Sequence, residues 1–280
     1  MHMRRRLLTT MAALTAAVVL TGGQAQAGGR FEYVALGDSA AAGPLIPNQN
    51  VNLLCLRSDR NYPNVIANRT GATLTDVSCS GAEIGDLTGR RFGILAPQLD
   101  ALKPSTDLVT LTIGANDIDL FPVALSCINF LPEPFGRSCE QRYTGGGEDE
   151  LAGRLDVMAP KFDSALAEIR RRAPYAEIVV TGYGTYTRPG GCFPVQPLWG
   201  RDADYLQSVM NRVSATARKA AHAHNVTFVD LAPVTVGHDV CAAPKDRYLE
   251  GLIPVGPAAP IHPNENGMRA YGNAILDVLR

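Results

Sequence analysis

Five short runs, at residues 31–36, 73–78, 108–113, 177–181 and 226–229, are rich in Val, Ile, Leu and Thr, and most are continuously apolar. A strand with one wet face alternates polar and apolar residues. Continuous apolar character belongs to strands covered on both faces, as in the centre of a parallel sheet. Parallel neighbours cannot be joined by a tight turn, so each pair needs a crossover long enough for a helix. The intervening sequence provides such crossovers. Residues 62–69 form a short helical pattern. Residues 148–172 repeat Leu151, Leu155, Met158, Phe162, Leu166 and Ile169 at helical spacing, and 204–222 do so with Leu206, Val209, Val213 and Ala217. Residues 264–279 place Met268, Tyr271, Ile275 and Leu279 on one face, with Asn264 in the capping position. Strand and helix alternate, which predicts an α/β fold built on a doubly wound parallel sheet.

The first 27 residues stand outside this pattern. Arg4-Arg5-Arg6, an apolar stretch over 7–20 and Ala25-Gln26-Ala27 read as the basic, hydrophobic and cleavage regions of a signal peptide. The apolar stretch is short for a bilayer span. The expectation is a secreted, extracellular protein with residues 28–280 as a single domain, monomeric and without stable membrane insertion. A formal net charge of −1, spread without long blocks, gives nucleic acid no electrostatic footing as a partner.

Six cysteines, Cys55, Cys79, Cys127, Cys139, Cys192 and Cys241, follow the leader. An even number in an exported chain reads as a disulfide framework. Sequential pairing, Cys55–Cys79, Cys127–Cys139 and Cys192–Cys241, closes the shortest loops and is the expected connectivity. The long linkers at 45–60, 121–147, 182–201 and 231–260 each hold at least one cysteine, so the bonds would tie down segments too long to be simple connections. No Cys-x-x-Cys or Cys/His cluster offers a metal site, and no metal or organic cofactor is expected.

In an open α/β sheet, ligands bind beyond the carboxyl ends of the strands. The first run ends in Gly37-Asp38-Ser39, the second in Ser78-Cys79-Ser80-Gly81-Ala82 and the third in Ile113-Gly114-Ala115-Asn116-Asp117. A hydroxyl, a glycine N–H and a carboxamide therefore arrive at one rim. Taken alone, Asp38 and Ser39 also suit a turn and a helix cap. A serine nucleophile needs a base, usually histidine. Of the five histidines, His2 lies in the leader, His222 and His224 near the end of a polar helix, and His238 in a loop. His262 stands just before the last helix, in Pro260-Ile261-His262-Pro263-Asn264, where Pro263 stiffens the approach.

Gly-Asp-Ser near the start of the mature chain, the Gly81 segment, Gly-x-Asn-Asp and a histidine near the end resemble the SGNH/GDSL hydrolase family, in order and across nearly the whole mature chain. The six-cysteine form is similar to secreted actinobacterial esterases, lipases and phospholipases of that family. The resemblance implies a three-layer α/β/α sandwich around a five-stranded parallel sheet of flavodoxin-like type. It implies Ser39 as nucleophile, His262 as general base, and an oxyanion hole from the Ser39 and Gly81 N–H groups with the Asn116 amide. Asp38 and Asp117 are assigned to turn and supporting hydrogen bonds.

The sequence departs from that pattern in two places. The family's Asp-x-x-His puts a carboxylate three residues before the histidine, and Ala259 stands there. The expectation is a Ser–His dyad whose imidazole is oriented by the Ala259 backbone carbonyl. Ala40-Ala41-Ala42 also replaces the bulkier or hydroxylated residues usual after the serine. The predicted function is a serine ester hydrolase, an esterase or lipase, acting on a small-molecule or lipid ester. A phospholipase A-type acyl hydrolase or a carbohydrate deacetylase would use the same groups, and a non-catalytic binding protein is the reading from another class. The single tryptophan, Trp199, favours lipidic or simple esters over sugars. The apolar segments 45–56, 130–135 and 193–199 are candidates either for an acyl groove or for loop cores packed around the disulfides.

Overall fold

The structure, a computed structural model, describes residues 30–51 and 53–279. The signal-peptide assignment over 1–27 lies outside the described residues. All five expected strands form: β1 (Glu32–Gly37), β2 (Thr73–Asp76), β3 (Leu108–Thr112), β4 (Glu177–Thr181) and β5 (Thr227–Val229). They make one sheet in the order β2-β1-β3-β4-β5, every neighbouring pair parallel. The helices are α1 (Ser39–Ala42), α2 (Tyr62–Thr70), α3 (Leu120–Ser126), α4 (Cys139–Thr144), α5 (Glu150–Arg172), α6 (Gly200–Ala223), α7 (Ala232–Thr235) and α8 (Glu265–Val278).

Period-two alternation divides the core into two layers. Val34, Leu36, Val109, Leu111, Ile178 and Val180 point to the face covered by α5 and α6. Tyr33, Ala35, Leu108, Val179 and Val229 point to the opposite face, covered by α2 and α8. The helical stripes pack as their spacing requires, with Leu155, Met158, Phe162 and Leu166 of α5 against the first face and Met268, Tyr271 and Ile275 of α8 against the second. Each such side chain, fully buried, contributes about 1.5–3 kcal/mol of transfer free energy. Threonines interrupt the apolar strands without cost because their hydroxyls are paired. The Tyr33 hydroxyl meets Thr110 Oγ1 at 2.7 Å, and Thr112 Oγ1 meets Thr181 Oγ1 at 2.6 Å.

Asn264 caps α8, its side-chain oxygen accepting from Asn266 N at 3.0 Å and Gly267 N at 3.1 Å. α4, and all of α3 but Leu120, fall inside the segment 121–147 expected to be a linker. Both are under eight residues and α3 contains Pro122, so neither presents a readable helical period. They are fastened to each other by Cys127–Cys139, and Cys55–Cys79 and Cys192–Cys241 complete the sequential set.

β1 lies between β2 and β3, so the chain winds away from it in both directions and leaves a crevice at the carboxyl ends of β1 and β3. The last residue of β1 is held tightly. Gly37 has φ +138°, and a methyl group there would lie 2.3 Å from the Thr112 carbonyl oxygen. Only glycine fits. β2 ends before it can offer the Gly37 N–H an acceptor, and the side-chain amide of Gln98 supplies one. Gly37 N–H donates to Gln98 Oε1 at 2.8 Å and Gln98 Nε2 donates to the Gly37 carbonyl at 2.9 Å. Gln98 is buried, so replacing it with leucine leaves the Gly37 N–H without an acceptor. We expect Gln98→Leu to lower unfolding free energy by about 1–3 kcal/mol in chemical denaturation, the usual cost of a buried polar group left unpaired. Unchanged stability would show that Gly37 finds another partner.

Candidate active site

Ser39 opens α1 immediately after this pinned strand end. Asp38 N–H donates to the Thr112 carbonyl at 2.8 Å, and Asp38 Oδ1 accepts from Ala40 N–H at 2.8 Å as the cap of α1. Ala40, Ala41 and Ala42 are buried, packed tightly enough that Ala41 Cβ would lie 3.2 Å from a methyl group at Gly37. Small residues after the serine therefore answer to close packing of α1 on the sheet.

His262 reaches this turn from a loop stitched to the 248–251 segment. Glu250 N–H donates to the His262 carbonyl at 2.9 Å, Ile261 N–H to the Gly251 carbonyl at 3.1 Å, and Leu249 bridges Pro263. The buried Glu250 carboxylate accepts from Asn264 Nδ2 at 2.9 Å and Val255 N–H at 2.9 Å, which ties this loop to the start of α8. The result places His262 Nε2 2.7 Å from Ser39 Oγ, across 223 residues of chain.

The other ring nitrogen corrects the sequence expectation. His262 Nδ1 lies 2.7 Å from the carbonyl oxygen of Pro260, not of Ala259. Ile261 has φ +52°, which curls the chain so that the carbonyl two residues upstream turns back to the ring. The Ala259 N–H donates to the Pro44 carbonyl at 3.0 Å. A carbonyl can only accept, so Nδ1 carries the proton and Nε2 presents its lone pair to the Ser39 hydroxyl. Three carboxylates that could have served instead are occupied: Asp230 by Arg218, Asp239 by Arg188 at 3.0 Å and Glu265 by Arg60 at 2.9 Å. Burial disfavours the imidazolium and lowers the His262 pKa below its ordinary value, partly opposed by the bond to Pro260. The remaining histidines sit apart from this contact. His238 stacks on Tyr248 with ring centroids 3.9 Å apart, and His224 faces Asp163.

Gly81 and Asn116 come to the same rim. Cys79 N–H donates to the Gly37 carbonyl at 3.0 Å, Ser80 N–H to the Cys55 carbonyl at 2.9 Å and Ala82 N–H to the Cys79 carbonyl at 3.0 Å. With Cys55–Cys79, these bonds fix the Gly81 turn, in which Gly81 has φ +76°. Asn116 Nδ2 donates one hydrogen to the Ala82 carbonyl at 3.0 Å, and the amide keeps a second hydrogen. Among the described residues, neither the Ser39 nor the Gly81 N–H finds an acceptor within the chain.

Asp38 is buried and accepts from the Tyr183 hydroxyl at 2.5 Å; burial pushes its pKa up to about 7. Asp117 accepts from Ile84 N–H at 2.9 Å and faces Lys161 at 3.6 Å, holding the segment after Gly81. Gln98 and Tyr183 both support the site, and the sequence reading named neither. Tyr183 stands at the carboxyl end of β4, the rim position that could have drawn attention to it.

Ser39 and His262 line a cavity of about 840 Å³, counting its open mouth, with Leu120, Phe121, Ala124, Leu198, Met210 and Leu252 among its walls. Of the three apolar segments singled out in the sequence, only 193–199 reaches it, through Gln196 and Leu198. Leu53, Leu54, Phe130 and Phe135 are instead exposed, and Trp199 is buried with its Nε1 donating to the Leu131 carbonyl at 2.8 Å. α3, unread in the sequence, provides the wall those segments do not. Among the described residues no group of His, Cys, Asp and Glu is arranged to hold a metal ion.

Residues 35–270 match the GDSL-like Lipase/Acylhydrolase family. The chain is 40% identical over 290 aligned positions to Lipase 2 of Streptomyces coelicolor, covering 99% of this chain and 97% of that protein. A lipase of Streptomyces rimosus is 30% identical over 95% of each chain. Among solved structures, phospholipase A1 of Streptomyces albidoflavus superposes with a TM-score of 0.74 at 25% identity, covering 89% of this chain and 99% of that one. The extracellular lipase of Streptomyces rimosus also gives 0.74, at 27% identity over 88% and 98% of the two chains. A match over residues 35–270, together with 40% identity to a lipase along nearly its whole length, makes the chain a member of the GDSL-like lipase/acylhydrolase family.

Proposed function

We propose that this carboxylic ester hydrolase works through an acyl-enzyme on Ser39 with His262 as its base, and that it acts on lipidic or simple esters outside the cell. The observation that carries the reading is the 2.7 Å contact between Ser39 Oγ and His262 Nε2. His262 takes the hydroxyl proton as Ser39 attacks the ester carbonyl, then returns it to the leaving alcohol. Water activated by the same nitrogen releases the acid. The carbonyl oxygen becomes an oxyanion at the tetrahedral stage, where the Ser39 and Gly81 N–H groups and the free hydrogen of the Asn116 amide stabilise it. Donors held in place before charge develops act most strongly, because no reorganisation is needed at that moment. The Pro260 carbonyl sets the tautomer. No metal or organic cofactor enters the scheme.

The apolar cavity walls support an acyl chain as the bound part of the substrate. The loops beyond the strand ends also carry exposed Leu53, Phe92, Phe130, Phe135 and Ile253, which suits a substrate presented by a lipid phase. Likeness to a phospholipase A1 supports acyl-ester cleavage in phospholipids as the second reading. All six cysteines are in disulfides, consistent with an oxidising, extracellular setting.

Hydrolysis of p-nitrophenyl esters from acetyl to palmitoyl, beside phosphatidylcholine and acetylated xylan, tests the substrate class. We expect turnover of acyl esters longer than acetyl, none of xylan, and loss of all hydrolysis in Ser39→Ala. Full activity in Ser39→Ala, or a preference for xylan, would contradict the reading. The pH profile tests the base. Catalysis needs neutral His262, and burial makes its protonation harder, so the acidic limb of kcat/KM should fall below about pH 6.5, the ordinary histidine value. Asp38, pushed up to about 7, titrates in the same region, so a limb above about pH 6.5 that persists in Asp38→Asn would contradict the assignment.

A further inference from the structure

The rim carries one buried polar group that the proposed chemistry does not use. Tyr183 follows β4 between two closely packed glycines. A methyl group at Gly182 would lie 3.1 Å from Ser214, and one at Gly184 would lie 2.6 Å from the Tyr271 hydroxyl. Tyr183 N–H donates to Ser214 Oγ at 3.0 Å, so the backbone under the ring is fixed. The hydroxyl reaches two turns at once. It donates to Asp38 Oδ2 at 2.5 Å and accepts from Ala115 N–H at 3.1 Å.

Each partner is the residue before a group of the site: Asp38 precedes Ser39, and Ala115 precedes Asn116. The two turns need such a link. Gly114 has φ +120°, so the segment carrying Asn116 has already left the strand ladder, and among the described residues the Asn116 side chain itself is tethered only to the Ala82 carbonyl. We propose that the Tyr183 hydroxyl is a positioning group, which bridges the two turns and sets the Asn116 amide at its working distance from Ser39. The inference rests on Asn116 being an oxyanion donor, as proposed above. Burial and the neighbouring Asp38 raise the Tyr183 phenol well above its ordinary range, so it keeps its proton. Above about pH 7, where Asp38 is ionised, one hydroxyl donates to the carboxylate and accepts from the amide, with each of these buried partners satisfied.

A double-mutant cycle with p-nitrophenyl butyrate tests the proposal. Tyr183→Phe keeps the ring and removes the bridge; we expect kcat to fall about 10- to 100-fold with KM changed by less than about twofold, the pattern of a lost transition-state contact. Asn116→Ala alone should lower kcat about 100- to 1,000-fold. In the Asn116→Ala background, Tyr183→Phe should cost less than about threefold, because no amide remains to be misplaced. Losses that multiply in the double variant, or an unchanged kcat in Tyr183→Phe, would overturn the proposal. An unchanged kcat in Asn116→Ala would overturn the oxyanion reading itself, and the proposal with it. Near-UV circular dichroism reports folding. Should Tyr183→Phe not fold, Asp38→Asn, which removes the acceptor and keeps the cap, goes through the same cycle with the same expectations. Failure of both to fold would make the bridge a stability element and overturn its positioning role.

Discussion

The close approach of two backbones at Gly37 governs everything built on this rim. With only a hydrogen atom on its Cα, the end of β1 lies against the Thr112 carbonyl, where a methyl group would be 2.3 Å away. That contact lets Asp38 N–H bond Thr112 and brings Ser39 into the crevice between β1 and β3. The Gly37 carbonyl in turn receives Cys79 N–H and Gln98 Nε2, so the Gly81 turn is referenced to the same point. The site is thus held by strand ends and backbone bonds, with long side chains only filling the gaps between them.

His262 meets this frame from the far end of the chain, and the group behind it is a neutral carbonyl. A carbonyl fixes the tautomer as well as a carboxylate does, since both accept from Nδ1–H. It carries only a partial charge, so it stabilises the imidazolium less when the proton arrives. Lowered basicity from burial works in the same direction. The proposed dyad therefore leans more on preorganised oxyanion donors than a carboxylate triad would, which gives the Tyr183 bridge its importance.

The strands and long helices were legible because burial on two faces leaves continuous apolar runs, and burial on one leaves a helical stripe. The Gly-Asp-Ser, Gly81 and Gly-x-Asn-Asp turns were legible because small residues after a strand have few other reasons to occur. α3 and α4 were not, since helices this short are made by packing and by Cys127–Cys139 rather than by period. The shift from Ala259 to Pro260 depends on a left-handed Ile261, a conformation that no β-branched side chain announces. Gln98 and Tyr183 act across 61 and 145 residues of chain, and a lone polar residue in a linker carries no spacing that reveals a distant partner.

In the proposed mechanism one serine is activated by convergence of distant residues. Labelling the folded protein with a fluorophosphonate and identifying the modified peptide by mass spectrometry tests this most directly. The predicted result is a single adduct on Ser39, absent when His262→Ala is labelled under the same conditions. An adduct on another serine with hydrolysis abolished, or full hydrolysis in protein that takes no label, would contradict it.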